Sequence, residues 1–154
     1  MSIPELEAAI RVLMAAVAGG LIGLERGHAH KPAGIRTNSL VYLGSALITI
    51  LSMHAFDSPG TDTSRVAAGI AIGIGFLGAG TIIRTRWSIR GLTTAATIWV
   101  GAAIGMAFGA GFYIIAGATW VITLVLLIMP FPAHVSGYED EPRGESEEGR
   151  EHPL

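Results

Sequence analysis

The feature that most constrains this chain is a run of 48 residues, Gly91 to Tyr138, without Asp, Glu, Lys or Arg. A straight α-helix of that length would extend about 72 Å at 1.5 Å per residue, whereas the hydrocarbon core of a bilayer is about 30 Å thick. The run therefore has to fold back on itself, and Gly109-Ala110-Gly111 is the predicted hinge.

The remainder of the chain alternates uncharged runs with short charged loops. Only 14% of the 154 residues are charged and the mean hydropathy is +0.54, whereas soluble domains carry about 25% charged residues. This pattern is typical of a multi-span membrane protein. The predicted fold is an all-α membrane protein with about five transmembrane helices, at residues 4–24, 37–56, 66–83, 92–108 and 112–129.

The first helix follows an acidic N-terminus, MSIPELE. A signal peptide needs a basic n-region and a cleavage site, so we expect this helix to be retained. Glu7 and Arg11 are four residues apart with the acid first, and they are predicted to pair on one helix face near an interface. Long charged side chains there can also reach water.

The two ends of the chain differ in composition. Residues 133–154 hold seven acids and are predicted to form a disordered acidic tail, either an interaction segment or a solubilising end. We therefore expect a membrane domain over 1–132 and a tail over 133–154. Without cysteine, the chain offers no disulfide framework, thiolate metal site or cysteine nucleophile.

Lys and Arg predict the orientation, because cytoplasmic loops carry an excess of them. The loops after the first and third helices hold six such residues, whereas the opposite side has Arg65 and Arg11. We expect a multi-pass protein of the bacterial inner membrane, with its N-terminus outside and its tail in the cytoplasm. The six residues are Arg26, Lys31, Arg36, Arg84, Arg86 and Arg90.

Glycines recur at helical spacing. The segment GIGFLGAG matches the nucleotide pattern GxGxxG, but it lacks a preceding strand and an acidic residue about 20 positions later. Close helix packing is the favoured interpretation; a hinge or a water-lined path is the alternative. The predicted packing residues are Gly19, Gly23, Gly73, Gly75, Gly78, Gly80, Gly101, Gly105 and Gly109.

The two halves of the chain have similar sequence patterns. Each half reads as helix, basic loop, Ile-Arg and a hydroxyl-rich helix start, which predicts a parallel repeat. The matches are short, and coincidence is the alternative.

If the repeat holds, Arg36 and Arg90 each precede a helix N-terminus, and Thr37, Asn38, Ser39, Thr93 and Thr94 supply caps and donors. A helix N-terminus preceded by an arginine favours the binding of an anion. The candidates are a lipid phosphate, a nucleotide phosphate, a partner's acid or Glu25; alternatively these arginines only fix topology.

Glu25 is the only acid in either basic loop. We expect it to pair with Arg36 or Arg90 and lock the loops together. A magnesium site there is disfavoured, because hard cations need several oxygens and Arg26 is adjacent. His28 and His30 alone do not define a metal site. No catalytic constellation is present, so we expect no enzyme, no cofactor and no metal.

Three stretches carry a family resemblance: GLIGLERGHAHKPAGIRTNSLVYLGSAL, RVAAGIAIGIGFLGAGTIIR and IRGLTTAATIWVGAAIGMAFG. Their combination of GLER, KPAGIRT, GFLGAG and RGLTTAA resembles the MgtC/SapB family of bacterial inner-membrane proteins. The candidate functional residues are Glu25, Arg26, Lys31, Pro32, Gly34, Arg36, Thr37, Asn38, Arg84, Arg90, Gly91, Thr93 and Thr94, beside the motif glycines Gly75, Gly78 and Gly80.

The resemblance implies a regulator linked to magnesium limitation and to restraint of the F-type ATP synthase. The chain departs from the family at Gly69 and Ile72, where relatives often carry glutamine and a small hydroxyl residue. It also resembles a short member without the C-terminal soluble domain, so virulence roles are not carried over. The alternative is a small ion or solute transporter or channel; a lipid-binding scaffold is a third option. Expected partners are the bilayer, another membrane complex and a second copy of the chain, but no nucleic acid.

Overall fold

Five α-helices account for most of residues 3–55, 62 and 64–129, the part of the chain that this computed structural model describes. The predicted tail over 133–154 lies outside the described residues. The elements are α1 (Glu5–His28), α2 (Ile35–His54), α3 (Ser64–Ala79), β1 (Ile83–Arg84), β2 (Ile89–Arg90), α4 (Leu92–Gly109) and α5 (Tyr113–Ile128).

The composition and surface of these helices are those of a membrane protein. Helices α1 and α4, of 24 and 18 residues, are long and apolar enough to cross a bilayer, and α3 and α5 are shorter apolar helices. Large apolar side chains point outward, among them Phe76 at 81% exposure and Ile114 at 89%. Soluble monomers rarely expose such surface contiguously. The predicted class, an all-α membrane protein, is confirmed.

The first basic loop is shorter than the sequence predicts. Helix α1 continues past Leu24 to His28, and the Ala29 N–H then donates to the Glu25 carbonyl at 2.9 Å. The chain turns through His30 and Ala33, whose φ angles are 53° and 60°. Because Gly34 accepts the first backbone bond, from Asn38 N–H at 3.1 Å, α2 begins two residues before the predicted start.

The third helix ends at Ala79, so its predicted extension to Ile83 is wrong. Strands β1 and β2 pair antiparallel instead, with Ile83 opposite Arg90 and Arg84 opposite Ile89. Gly91 explains the change of direction: its φ is +90°, and a Cβ there would lie 2.0 Å from the Thr81 carbonyl oxygen. Only glycine allows this conformation and this close approach.

Glycines bring the helix backbones together at the centre of the bundle. On α4, a Cβ at Gly105 would lie 2.4 Å from the Tyr42 carbonyl oxygen, and one at Gly109 would lie 2.5 Å from that of Ala46. On α1, a Cβ at Gly19 would lie 2.6 Å from the Asn38 carbonyl oxygen. These contacts show that α2 and α4 run parallel, with α1 antiparallel to α2.

The two helix pairs of the predicted repeat meet through matching glycines. In the first pair, a Cβ at Gly23 would lie 2.5 Å from the Ile35 Cα. In the second, a Cβ at Gly78 would lie 3.4 Å from the Ala95 carbonyl oxygen. Each glycine contacts the first turn or two of the helix that follows. The linkers differ, because a left-handed turn joins α1 to α2 and a β-hairpin joins α3 to α4.

Arg11 closes the end of the bundle where α4 turns into α5. Its side chain pairs with Glu7, as predicted, which confirms that pair. The Arg11 side chain is 11% exposed. Its Nη1 donates to the Gly109 carbonyl at 2.8 Å, and the guanidinium carbon lies 5.9 Å from the Tyr113 ring centroid. Gly111, at φ +83°, leaves room for it, since a Cβ there would lie 3.1 Å from Nη2.

Candidate functional site

The candidate residues gather at the end of the bundle that holds the α1–α2 loop and the β-hairpin, here called the arginine end. Helices α2 and α4 both start there, because the contacts of Gly105 with Tyr42 and of Gly109 with Ala46 make them parallel. Helix α1 ends there, and α3 leads into the hairpin. The structure therefore brings both basic segments and both Ile-Arg steps to one side of the molecule.

Glu25 and Arg26 form a buried ion pair on the last turns of α1. The Arg26 Nε lies 3.0 Å from the Glu25 Oε2, and the side chains are 5% and 16% exposed. The two atoms are close but not aligned for a hydrogen bond, as expected for neighbours in sequence, which do not face each other on a helix. The pairing of Glu25 with Arg36 or Arg90 proposed from the sequence is wrong; the carboxylate lies against Arg26.

Asn38 holds the α1–α2 loop from within the bundle. It is fully buried, and its Nδ2 donates to the Ala33 carbonyl and to the Gly34 carbonyl, the latter at 3.2 Å. The sequence predicts Asn38 as a cap for helix N–H groups, but its amide binds loop carbonyls instead. Neither α2 nor α4 has a side-chain cap at its N-terminus.

Buried polar atoms without hydrogen-bond partners cluster along the α1–α2–α4 interface. Within the described residues they include the Asn38 Oδ1 and the Tyr42 hydroxyl, besides the Glu25 and Arg26 atoms already named. Leaving such a group unpaired costs about 1–3 kcal/mol. On α4, Thr94 and Thr97 are buried on the same side, and the Thr97 hydroxyl donates to the Thr93 carbonyl at 2.8 Å. The arginine end thus has a polar interior.

The remaining candidates lie on its surface. Gly34 and Gly91 are half-buried at the starts of α2 and α4. In the described part of the chain, none of the basic side chains on this surface forms an ion pair. The exposed candidates are Lys31, Pro32, Arg36, Thr37, Arg84, Arg90 and Thr93.

The glycines of α3 behave differently from those of α1 and α4. A Cβ at Gly73 or Gly75 would meet nothing within 4 Å, and one at Gly80 would meet only carbonyls of its own helix, the nearer at 3.3 Å. Gly73 lines an open, apolar groove of about 630 Å³ between α2 and α3. The helix backbone of α3 is therefore uncovered at Gly73 and at Gly75, two positions on nearly opposite sides of the helix.

Metal-binding side chains do not assemble at this end. Across the described ranges, no group of three or more His, Asp or Glu residues could hold an ion. The His28 Nδ1 lies 2.8 Å from the Leu24 carbonyl oxygen and can donate to it, in its own helix. The chemistry that the site does offer is an exposed basic surface above a buried ion pair.

Sequence reasoning missed the contact of Arg11 with the end of α4 and the Glu25–Arg26 pair. The sequence predicts Arg11 near an interface and paired with Glu7, but it does not indicate the acceptor on α4. The hinge glycines Gly109 and Gly111 carried the missing signal, since an exposed carbonyl and a space without Cβ can receive a guanidinium.

An all-α membrane bundle with paired basic linkers and glycine-packed helices is the class that fold and site define. The sequence matches the MgtC family over residues 12–135. The chain belongs to the MgtC family, and the resemblance found in its motifs is confirmed.

Curated relatives align over most of this chain. The Escherichia coli K12 protein called "Putative magnesium transporter YhiD" is 48% identical over 124 residues, 77% of this chain and 58% of that protein. Protein MgtC of Salmonella typhimurium LT2 is 46% identical over 121 residues, 78% of this chain and 51% of the relative. Protein MgtC of Brucella abortus (strain 2308) is 50% identical over 93 residues, which are 60% of this chain and 38% of the relative.

This chain spans about half the length of the curated relatives it matches. No solved structure matches it.

Proposed function

We propose that this protein is a non-enzymatic regulator in the bacterial inner membrane, linked to magnesium limitation, which acts by contacting another membrane complex. Family membership and the magnesium role in the name of the Escherichia coli relative support the link to magnesium. By resemblance, the complex is the F-type ATP synthase. A second copy of the chain is the other proposed partner, because α3 is uncovered at Gly73 and Gly75.

One observation favours a regulator over a magnesium transporter: three of the four carboxylates in the part of the chain that the structure describes already have partners. Glu7 pairs with Arg11, and Glu25 pairs with Arg26. Asp62 accepts bonds from the Ser64 hydroxyl at 2.6 Å and N–H at 2.9 Å, which hold its pKa below the usual value. Of the acids in the described residues only Glu5 remains, and it is exposed at the first turn of α1. Magnesium needs several oxygens in octahedral geometry.

The uncovered glycine positions of α3 support contact with another membrane protein. Gly19, Gly105 and Gly109 are covered by the backbone of a neighbouring helix, whereas a Cβ at Gly73 or Gly75 would meet nothing within 4 Å. Large apolar side chains flank them, including Ile72 at 76% exposure. Small residues let helix backbones approach closely in a membrane, where packing rather than hydrophobicity drives association.

The proposed orientation places the arginine end in the cytoplasm. Because the chain has no native cysteine, single substitutions report sidedness directly. We expect Lys31→Cys and Thr85→Cys to react with a membrane-impermeant maleimide in inverted vesicles only, and Glu5→Cys in intact spheroplasts only. The reverse labelling pattern would require the opposite topology.

The transporter is the second candidate, and the unpaired Asn38 Oδ1 and Tyr42 hydroxyl favour it, since solute pathways need polar groups inside a bundle. Flux measurements in sealed proteoliposomes containing only this protein separate the two. We expect magnesium, proton and phosphate fluxes equal to those of empty vesicles. Co-reconstitution with F-type ATP synthase should then lower ATP-driven proton pumping.

Each arm of this experiment has its own contrary outcome. Magnesium flux above the empty-vesicle level, lost in Asn38→Ala and kept in the exposed control Thr37→Ala, would make the protein a transporter. Unchanged ATP-driven pumping would remove the synthase as the partner and leave the regulator to be tested against other complexes. Protein shown to be folded by circular dichroism is used in both arms.

A further inference from the structure

The β-hairpin, residues 83–90, carries an unneutralised positive charge. Arg84, Arg86 and Arg90 are exposed, and no acid occurs between Gly80 and Gly91. Within the described residues none of the three forms an ion pair. The Arg86 guanidinium lies over the Trp87 ring, with its central carbon 5.5 Å from the ring centroid. These groups are free to bind anions.

The same hairpin exposes large apolar side chains. Ile83, Trp87 and Ile89 are 63%, 68% and 52% exposed. Residues directly opposite in an antiparallel pair project to the same face, so the register puts Ile83 with Arg90 on one face and Ile89 with Arg84 on the other. Each face therefore combines one apolar side chain with one cation, and Trp87 lies at the tip.

Hydrogen bonds hold the hairpin in shape even though it has no apolar cover. The Thr85 N–H donates to the Ser88 carbonyl at 2.8 Å, and the Ser88 N–H donates to the Thr85 hydroxyl at 3.0 Å. Gly91 fixes its base against Thr81. The exposed side chains are thus presented on a preorganised support, which reduces the entropy lost on binding.

The helices set the depth of the hairpin relative to the bilayer. Helix α4 begins at Leu92, directly after it, and its 18 residues extend about 27 Å, close to the ~30 Å of the hydrocarbon core. Helix α3 leads in from the other side, and its Phe76 side chain is 81% exposed. The hairpin therefore lies at the level of the lipid headgroups.

We propose that this hairpin is a binding site for anionic phospholipid, with the three arginines on headgroup phosphates and Ile83, Trp87 and Ile89 in the boundary between headgroups and acyl chains. Guanidinium groups bind phosphate through paired donors, and Trp is enriched at that depth. The site is independent of whether the protein regulates or transports.

Quenching of Trp87 by brominated lipids tests the site. The protein is reconstituted in phosphatidylcholine vesicles with phosphatidylglycerol, and either lipid is brominated in turn at equal mole fraction. The signal of wild type minus Trp87→Phe isolates this residue from Trp99 and Trp120. We expect brominated phosphatidylglycerol to quench Trp87 several-fold more than brominated phosphatidylcholine, and the excess to fall as salt rises.

Substitutions test which basic residues cause the preference for phosphatidylglycerol over phosphatidylcholine. Each arginine near an anionic surface is worth about fivefold in local lipid enrichment, so Arg84→Gln with Arg86→Gln and Arg90→Gln should abolish the excess. Lys31→Gln with Arg36→Gln, which changes basic residues of the same end outside the hairpin, should keep it. Equal quenching by both lipids, or an excess that survives the triple substitution, overturns the proposal. A Trp87 that neither lipid quenches would instead point to a protein partner.

Discussion

Gly105→Ala should lower the free energy of unfolding by about 3 kcal/mol, the upper end of the usual cost of overpacking. The new Cβ would lie 2.4 Å from the Tyr42 carbonyl oxygen and 3.0 Å from the Tyr42 Cα, which are backbone atoms. No rotamer change can relieve that contact, so α4 has to move away from α2. Reversible unfolding in mixed micelles, followed by circular dichroism, measures the loss.

Gly73→Ala is the matched control for this prediction. It is also a helix-interior glycine, but its Cβ would meet nothing within 4 Å. Because alanine is favoured over glycine in a helix by about 1 kcal/mol, this variant should be neutral or slightly more stable. If Gly105→Ala proved as stable as Gly73→Ala, the backbone contact between α2 and α4 described here would be incorrect.

Glu25→Gln should cost about 3 kcal/mol, because it removes the charge that compensates Arg26. The Arg26 side chain is 5% exposed and cannot turn to water without leaving the α1–α2–α4 interface. Glutamine keeps the shape of Glu25, so the loss reports charge rather than packing. The same unfolding measurement applies, with thermal unfolding followed by tryptophan fluorescence as a second readout.

Glu5→Gln serves as the control, since Glu5 is exposed at the opposite end of α1. It should change the free energy of unfolding by less than about 0.5 kcal/mol. If Glu5→Gln and Glu25→Gln lowered the free energy of unfolding equally, the effect would come from the change in net charge and not from loss of the Glu25–Arg26 pair. Arg26→Gln should resemble Glu25→Gln, because either change leaves one buried charge alone.

Sequence periodicity predicted the number and order of the helices, because uncharged runs bounded by charged loops have few solutions in a bilayer. It failed at Ile82 and Ile83, which continue an apolar run but leave the helix. The determining contact, Gly91 against the Thr81 carbonyl, joins residues ten apart and depends on a positive φ that no apolar pattern encodes.

The candidate site was predictable as a set of residues but not as a set of contacts. The basic loops and the Ile-Arg steps predicted that Arg36 and Arg90 would share one end, as they do. The partner of Glu25 was not predictable, because adjacent residues on a helix do not normally face each other, yet the Arg26 Nε lies 3.0 Å from the Glu25 Oε2. Burial of Asn38 likewise follows from the turn at Ala33, a local conformation rather than a pattern.

Arg11 links the order of synthesis to the completion of the fold. Its acceptor, the Gly109 carbonyl, lies 98 residues further along the chain, so while α1 to α3 are being made the guanidinium has Glu7 but no α4 terminus to bind. A charge in a membrane helix is costly until it finds a partner. The polar contacts of the first helix are therefore completed only when the fourth helix has been made, and a chain that ends before α4 leaves Arg11 with Glu7 as its only partner among these contacts.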